Sequence, residues 1–173
     1  MTALTEAYEA VIMFFDSGGD VLEAIFVVTL LMWVLIGERL WYLRWGYKHD
    51  QVELLNRWQA LDEKNSWHAK QIRSRLISVM KHNLNHSLAM VVALVAVCPL
   101  FGLLGTVSGM IEVFDVMAIT GNGNPRAMAG GVSAATIPTM AGMVAAISGL
   151  FFSFRLVRSA EELRRSFAAQ LKE

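Results

Sequence analysis

The stretch from Pro99 to Phe114, P-L-F-G-L-L-G-T-V-S-G-M-I-E-V-F, places three glycines and one threonine inside a mainly apolar run. Gly102, Gly105 and Gly109 are three and four residues apart, so on a helix they share one side and let a second backbone approach closely. Gly105 and Gly109 also form a GxxxG pair, which is common in membrane helices. The stretch therefore predicts a helix face that packs against other helices in a membrane.

The composition of the whole chain also indicates a membrane protein. With 55% hydrophobic residues, 17% charged residues and a mean hydropathy of +0.45, the 173-residue chain is too apolar for a routine soluble domain and has room for only a few spans. The single cysteine, Cys98, excludes an internal disulfide framework, and its apolar neighbours indicate packing instead of redox or nucleophilic chemistry. No cofactor is expected.

Three apolar segments predict an all-α integral membrane protein with three transmembrane helices. The first helix is placed at residues 20–43, the second at 87–119 and the third at 127–154. Charge-free runs at 87–111 and 127–154 are long enough to cross a hydrocarbon core of about 30 Å. The second and third helices are expected to extend into the cytoplasm, the second as one long helix because no Gly or Pro lies between residue 66 and Pro99.

The basic residues lie almost entirely on one side of these spans. Fourteen of the fifteen fall either between residues 39 and 86 or after residue 154. The positive-inside rule therefore places an insert at 44–86 and a tail at 155–173 in the cytoplasm. The N-terminus and a hairpin at 120–126 are then periplasmic.

Residues 1–19 are expected to form an amphipathic periplasmic helix along the membrane surface. Their apolar residues have helical spacing, and Lys and Arg are absent. We expect the segment to be retained, because a secretory signal would need a basic start and an unbroken apolar core. The run Ser17-Gly18-Gly19-Asp20 should end this helix and cap the next one.

Three polar patterns have plain structural explanations. Glu38 and Arg39, at the inner end of the first span, are expected to pair with each other or to snorkel. His82 and His86 have metal-ligand spacing, but no cysteine or acidic residue in that turn completes a site, so no metal is expected. The basic residues are scattered among acids and aromatics, which is typical of a solvated or headgroup face and not of a nucleic-acid interface.

The opening stretch resembles the second transmembrane helix of the MotA/TolQ/ExbB proton-channel family, whose signature has the form P-L-x-G-L-L-G-T-V-x-G-M-I-x-x-F. The matching residues are Pro99, Leu100, Gly102, Leu103, Leu104, Gly105, Thr106, Val107, Gly109, Met110, Ile111 and Phe114. The short insert and the lack of a long cytoplasmic tail favour the ExbB/TolQ branch over the flagellar one.

The segment from Val132 to Ile147, V-S-A-A-T-I-P-T-M-A-G-M-V-A-A-I, resembles the third helix of the same family. The matching residues are Thr139, Gly142, Ala145, Ala146 and Ile147. Ala134 departs from the pattern, because many ExbB and TolQ proteins have a glutamate there, and Ser148 replaces a proline. This chain therefore brings no proton-carrying side chain of its own to the middle of the membrane.

The resemblance implies a proton-channel subunit of the bacterial inner membrane. It implies a homopentameric ring around a pair of single-span partners of the ExbD/TolR type, which supply a mid-membrane aspartate, and energy transfer through a TonB-like protein. Two alternatives stay open: a Tol-type envelope-integrity complex, and a passive membrane scaffold without ion flux. An enzyme is not expected, because no nucleophile with a base, metal cluster or carboxylate pair occurs in the sequence.

The residues expected to be functional are threonines that carry hydroxyls, one glutamate and the packing glycines. Thr106 and Thr139 coincide with the family's channel threonines, and Thr136 shares a helix face with Thr139, although each could simply bond a carbonyl one turn earlier. Glu112 is a possible outer entrance, with a solvated helix end as the alternative. The helix-packing positions are Gly102, Gly105, Gly109 and Gly142. We expect their faces to lack sufficient partners within one chain and so to require an oligomeric ring.

Overall fold

The computed structural model describes residues 2–61, 66–120 and 125–171. Every secondary-structure element within these ranges is helical, which confirms the predicted all-α class. In chain order they are α1 (Thr2–Trp41), a π-helical turn (Tyr42–Gly46), α2 (Tyr47–Gln59), α3 (Trp67–Asn85), α4 (Leu88–Thr120) and α5 (Pro125–Gln170). The expected surface placement of residues 1–19 rests on apolar side chains that lie outside the described residues. Residues 121–124 of the hairpin predicted at 120–126 also lie outside them.

Three helical segments in the described part of the chain are long and apolar enough to cross a membrane, as predicted. They cover Gly18–Gln59, Trp67–Ile119 and Met128–Gln170. The 46 residues of α5 form a helix of about 69 Å at 1.5 Å per residue, more than twice the hydrocarbon thickness. This helix must therefore extend well beyond the membrane, as expected for the third span.

The predicted break after the N-terminal segment is confirmed at Gly19. Its backbone angles are φ 59° and ψ −165°, which lie outside the helical region although α1 continues on both sides. A side chain is strained at a positive φ, so glycine suits this position. The break separates the N-terminal segment from the first span.

One compact unit consists of the residues up to Met32 together with Ala93–Leu150. It contains three helical segments, one each from α1, α4 and α5. Its buried side chains are Leu22, Ile25, Met32, Val95, Cys98, Ala135, Pro138 and Ala145. Because most of the other large apolar side chains in this unit are exposed, a membrane or other protein chains must cover them.

The second compact unit comprises Trp33–Val92 and the chain from Phe151 onward. Buried side chains from α2, α3 and the end of α5 form its core: Leu54, Trp58, Leu76, Met80, Leu84, Leu156, Ala160, Phe167 and Leu171. Hydrogen bonds also tie α5 to the other helices of this unit; among them, Tyr47 donates to the Leu163 carbonyl at 3.2 Å, and Arg73 donates to the Ala168 carbonyl at 3.3 Å.

Ion pairs cover the outer face of the α5 tail. Arg164 and Arg165 both approach Glu161, with nitrogen–oxygen distances of 2.6 and 3.2 Å, and Arg158 approaches Glu162 at 3.0 Å. Hydrogen bonds from Arg164 and then Arg165 lower the pKa of the Glu161 carboxyl to about 2. These i,i+3 and i,i+4 pairs support a helical tail after the last apolar segment.

The second span and the segment before it are not one long helix, contrary to the expectation. α3 ends at Asn85 and α4 begins at Leu88, and Ser87 between them has φ 62°. This left-handed conformation costs an ordinary residue about 1–2 kcal/mol. The local sequence contains no Gly or Pro that would have indicated the break.

The expected pairing or snorkelling of Arg39 is wrong. Arg39 is 2% exposed, whereas Glu38 is exposed and makes no ion pair within the described part of the chain. The Arg39 guanidinium donates from Nη1 to the Asn83 carbonyl at 3.2 Å and lies 5.1 Å from the centre of the Tyr42 ring. The first span therefore delivers a buried cation to the core of the second unit.

Candidate ion pathway

A seam of glycines brings α4 and α5 together. A Cβ atom added at Gly102 would lie 3.0 Å from the Thr139 Cα and 3.1 Å from the Pro138 carbonyl oxygen. One added at Gly109 would lie 2.6 Å from the Ala135 Cβ. A side chain at Gly102 would require the facing α5 backbone to move by a few tenths of an ångström, and one at Gly109 would overlap Ala135 unless a helix shifts, so glycine permits the close approach of the two backbones.

The remaining packing glycines belong to the same seam. Gly105 faces the Pro138 ring and Val21 of α1, and Gly142 faces the Cys98 carbonyl oxygen, which a Cβ would approach to 2.6 Å. The expectation that these faces lack partners within one chain is wrong, because a single chain already covers them. Any contact with a second copy of the chain would have to use other surfaces.

Thr139 links the two helices by a hydrogen bond. Its hydroxyl donates to the Gly102 carbonyl at 2.9 Å, and its side chain is half-buried. The absence of a side chain on Gly102 opens the approach that this bond requires. Thr139 is thus placed in the seam between α4 and α5, and not on an open face.

Thr106 and Thr136 bond within their own helices, as the alternative explanation stated. The Thr106 hydroxyl donates to the Leu103 carbonyl and the Thr136 hydroxyl to the Ser133 carbonyl, each at 2.7 Å. Thr106 is half-buried and Thr136 is exposed. Each hydroxyl oxygen keeps lone pairs that can accept a hydrogen bond from water or from another chain.

The surface beside these threonines is apolar and uncharged. Exposed side chains on the same part of α5 include Val132, Met140, Met143, Val144 and Ile147. Ala134 is half-buried, and Ser148 donates to the Ala145 carbonyl at 2.8 Å, so neither departure from the family pattern adds a titrating group. Glu112 and Asp115 are exposed on α4 beyond the glycine seam.

Two parts of this site were not identified from the sequence. Pro138 is buried against Gly105, and the Cys98 backbone lies against Gly142. A helical wheel assigns residues to faces but does not show which faces of two helices meet. The sequence offered one indication of this contact: a proline in the third span whose position allows it to meet a glycine of the second.

Comparison with known proteins now identifies the family. Residues 47–169, more than two thirds of the chain, match the model of the MotA/TolQ/ExbB proton channel family. The chain belongs to this family. This ExbB-like protein is thus a multi-pass membrane protein with the three-span architecture described above.

Relatives of this ExbB-like chain come from bacteria and archaea. It is 40% identical over 68 residues to the biopolymer transport protein exbB1 of Vibrio cholerae, a match that covers 39% of this chain and 30% of the relative. It is 27% identical over 101 residues to an ExbB homologue of Methanothermobacter thermautotrophicus, covering 58% of this chain and 36% of the relative. The chain thus spans about a third of the length of the curated relatives it matches.

Proposed function

We propose that this ExbB-like chain is the proton-conducting, ring-forming subunit of an inner-membrane complex that works with a single-span ExbD-like partner. The observation that carries the proposal, beside family membership, is that α4 and α5 bring hydroxyls but no Asp, Glu, Lys, Arg or His to residues 87–111 and 127–154. A carboxylate of the partner would be the titrating group. Thr106, Thr136 and Thr139 would line its path and exchange hydrogen bonds with it or with water.

The complex would couple the proton motive force to TonB-dependent transport across the outer membrane. The name of the Vibrio relative, a biopolymer transport protein, supports this branch over a Tol-type complex. The chain itself would catalyse no covalent reaction. Its contribution would be to hold the partner's carboxylate in a water-accessible, apolar enclosure.

The proposed topology has the N-terminus in the periplasm and the C-terminus in the cytoplasm. Its support is the basic-residue count, with fourteen of fifteen on one side of the spans. Glu112 would then lie near the outer entrance. Because Glu112 is exposed near a helix end, we propose that its carboxylate attracts protons toward the entrance and that this contribution is small.

The proposed oligomer is a homopentamer around two partner helices. The glycine seam does not support this proposal, since it is filled within the chain. Its support is instead the family and the exposed apolar side chains on α4 and α5, among them Leu100, Leu104, Val107, Val144 and Ile147. Those surfaces need lipid or neighbouring subunits.

Proton flux into vesicles tests the proposed function. Three preparations are compared: the oligomer alone, the oligomer with its partner, and the oligomer with a partner whose intramembrane aspartate is changed to asparagine. We expect flux only in the second. Undiminished flux in the third would place the carrier in this chain, and Glu112→Gln would then be the next variant to measure.

A passive scaffold is the second candidate. The observation that favours it is the absence of a carboxylate from residues 87–111 and 127–154, with Ala134 at the position where the family pattern has a glutamate. A scaffold would assemble with its partner yet pass no protons in any of the three preparations. The same vesicles therefore separate the two functions.

A further inference from the structure

The segment that follows the first span turns two tryptophans outward. Trp41 ends α1 and Trp45 lies in the π-helical turn, and these residues are 75% and 73% exposed. An indole combines a large apolar ring with one N–H donor. Such a side chain suits the boundary of a membrane, where the ring contacts acyl chains and the N–H reaches the headgroups.

The position of these tryptophans along the chain agrees with that boundary. About twenty residues of helix cross a hydrocarbon core. A span that begins at residue 20 therefore reaches the headgroups near residue 41. Trp41 and Trp45 thus lie at the level where lipid phosphates are found.

The two tyrosines of the same segment turn inward. The Tyr42 hydroxyl donates to Asp50 Oδ2. Tyr47 is 6% exposed, and its hydroxyl donates to the Leu163 carbonyl at 3.2 Å. These inward contacts fix the orientation of the segment, so the outward side chains project from a backbone that is already held.

Two cations accompany the exposed indoles. Arg44 and Lys48 are exposed, and each follows one of the two tryptophans by three residues. Residues three and four positions apart share one side of a helix. Trp41, Arg44, Trp45 and Lys48 therefore form one continuous outer surface, called here the Trp41–Lys48 surface.

The cations of this surface have no acidic partner within the described part of the chain. Ion pairs there involve four other arginines, each paired with a glutamate of its own helix: Arg57, Arg158, Arg164 and Arg165. Asp50 faces inward, where it accepts from Tyr42 and Asn83. Glu38 is exposed, but it precedes Arg44 by six residues and lies on the apolar side of Trp41.

We propose that the Trp41–Lys48 surface binds the headgroup of an anionic phospholipid. Arg44 can donate two hydrogen bonds to one phosphate, and Lys48 adds a second positive charge one turn further along. Trp41 and Trp45 would contact the glycerol and acyl part of the same lipid. This site does not depend on the proposed proton conduction, and under the proposed topology its lipid belongs to the cytoplasmic leaflet.

The two indoles favour a lipid over a free phosphate ion as the ligand. A soluble anion would engage the cations and leave both rings exposed. A lipid covers the rings and the charges together, because its headgroup and its chains are joined. The bound lipid would hold the π-helical turn at the level of the headgroups.

Quenching of tryptophan fluorescence by brominated lipids tests the site. The full chain is placed in phosphatidylcholine nanodiscs in which the same small mole fraction of either phosphatidylglycerol or phosphatidylcholine is brominated. Because the chain has five tryptophans, the signal of the site is the quenching that disappears in Trp41→Phe/Trp45→Phe. We expect brominated phosphatidylglycerol to associate at least about fivefold more strongly, which is the factor that one Lys or Arg contributes near an anionic surface.

Matched variants separate this site from the total charge of the chain. Arg44→Gln/Lys48→Gln should reduce the preference to about one, since the indoles then meet both lipids equally. Arg75→Gln/Lys81→Gln removes two exposed cations from α3 and should leave the preference unchanged. Inorganic phosphate, compared with chloride at equal ionic strength, should not displace the brominated phosphatidylglycerol.

Four outcomes would overturn the proposal. Equal quenching of the unmodified chain by the two brominated lipids would show an ordinary lipid boundary without a site. A preference that survives Arg44→Gln/Lys48→Gln, or that falls equally in Arg75→Gln/Lys81→Gln, would place the recognition elsewhere. Absence of quenching at Trp41 and Trp45 would mean that protein covers them, and displacement by inorganic phosphate would identify a site for a soluble anion.

Discussion

The Thr139 hydroxyl donates to the Gly102 carbonyl across 2.9 Å, so a residue expected to line the pathway also fastens the two helices that form it. This bond gives Thr139 a structural role that Thr106 does not share, since Thr106 bonds within its own helix. The two threonines are therefore not equivalent probes of ion conduction.

Thr139→Val should lower both stability and flux. The substitution removes one interhelical hydrogen bond, worth about 1 kcal/mol, while keeping the volume nearly constant. The unfolding midpoint in mixed detergent micelles and the vesicle flux would both be measured. Thr106→Val is the matched control for stability, and we expect it to reduce flux with a midpoint close to that of the unmodified chain. Equal destabilisation by the two variants would contradict the interhelical bond.

Gly142→Ala should destabilise the hairpin of α4 and α5. Its new Cβ would lie 2.6 Å from the Cys98 carbonyl oxygen, and a backbone atom cannot rotate away as a side chain can. Overpacking of this kind costs about 1–3 kcal/mol. Gly37→Ala is the control, because no atom lies within 4 Å of a Cβ there, and helix propensity predicts a gain of about 0.5–1 kcal/mol. A neutral Gly142→Ala would mean that the helices are not in contact at this point.

Gly46→Ala should disturb the π-helical turn. A Cβ at Gly46 would lie 2.6 Å from the Tyr42 ring, which is held by Arg39 on its face and by Asp50 at its hydroxyl. We expect a loss of about 1–3 kcal/mol in the free energy of unfolding. Tyr42 fluorescence is masked by five tryptophans, so proteolysis near residues 42–46 is the better measurement. Unchanged protection would show that the ring can move aside.

Arg39 and Asp50 should behave as a coupled pair in a double-mutant cycle. Asp50→Asn removes the carboxylate that accepts from Tyr42 and Asn83, the two residues that contact the guanidinium, and Arg39→Met removes the guanidinium itself. Each single variant should destabilise the chain, and the double variant should recover about 0.5–3 kcal/mol of the summed loss. Chemical unfolding of all four proteins measures this recovery. Strictly additive losses would show that the two charges do not sense each other.

The proposed topology predicts opposite labelling of two introduced cysteines. In a Cys98→Ala chain, a cysteine at the exposed position Ser78 should react with an impermeant thiol reagent only from the cytoplasmic side, and one at Ala118 only from the periplasmic side. Inverted vesicles and intact spheroplasts present the two sides. Labelling of both positions from the same side would rule out the three-span arrangement.

The sequence predicted those features that depend on periodicity and on one local residue type. Charge-free runs predicted the spans, and the run of residues around Gly19 predicted the end of the N-terminal helix. The prediction that the small residues lie close to other helices was also correct. Its assignment to neighbouring chains was wrong, because spacing along one helix does not reveal which helix it meets.

The features that escaped prediction depend on contacts between distant residues. Arg39 looked like an interfacial cation because its immediate neighbour is an acid, yet its partner lies 44 residues away at Asn83. The break at Ser87 has no Gly or Pro to signal it in the sequence. The role of Thr139 likewise required knowing that Gly102 lies opposite.

The π-helical turn at Tyr42–Gly46 has a consequence for the length of the chain. Such a turn is an α-helix that has accommodated one extra residue, so removing one residue there would restore regular winding and leave the helix beyond it facing the same way. Tyr47, Leu54 and Trp58 would then stay buried. A single-residue deletion in this turn should therefore be tolerated better than one at Lys48 in the regular helix α2, which would rotate the residues on one side of the deletion by about 100° relative to those on the other.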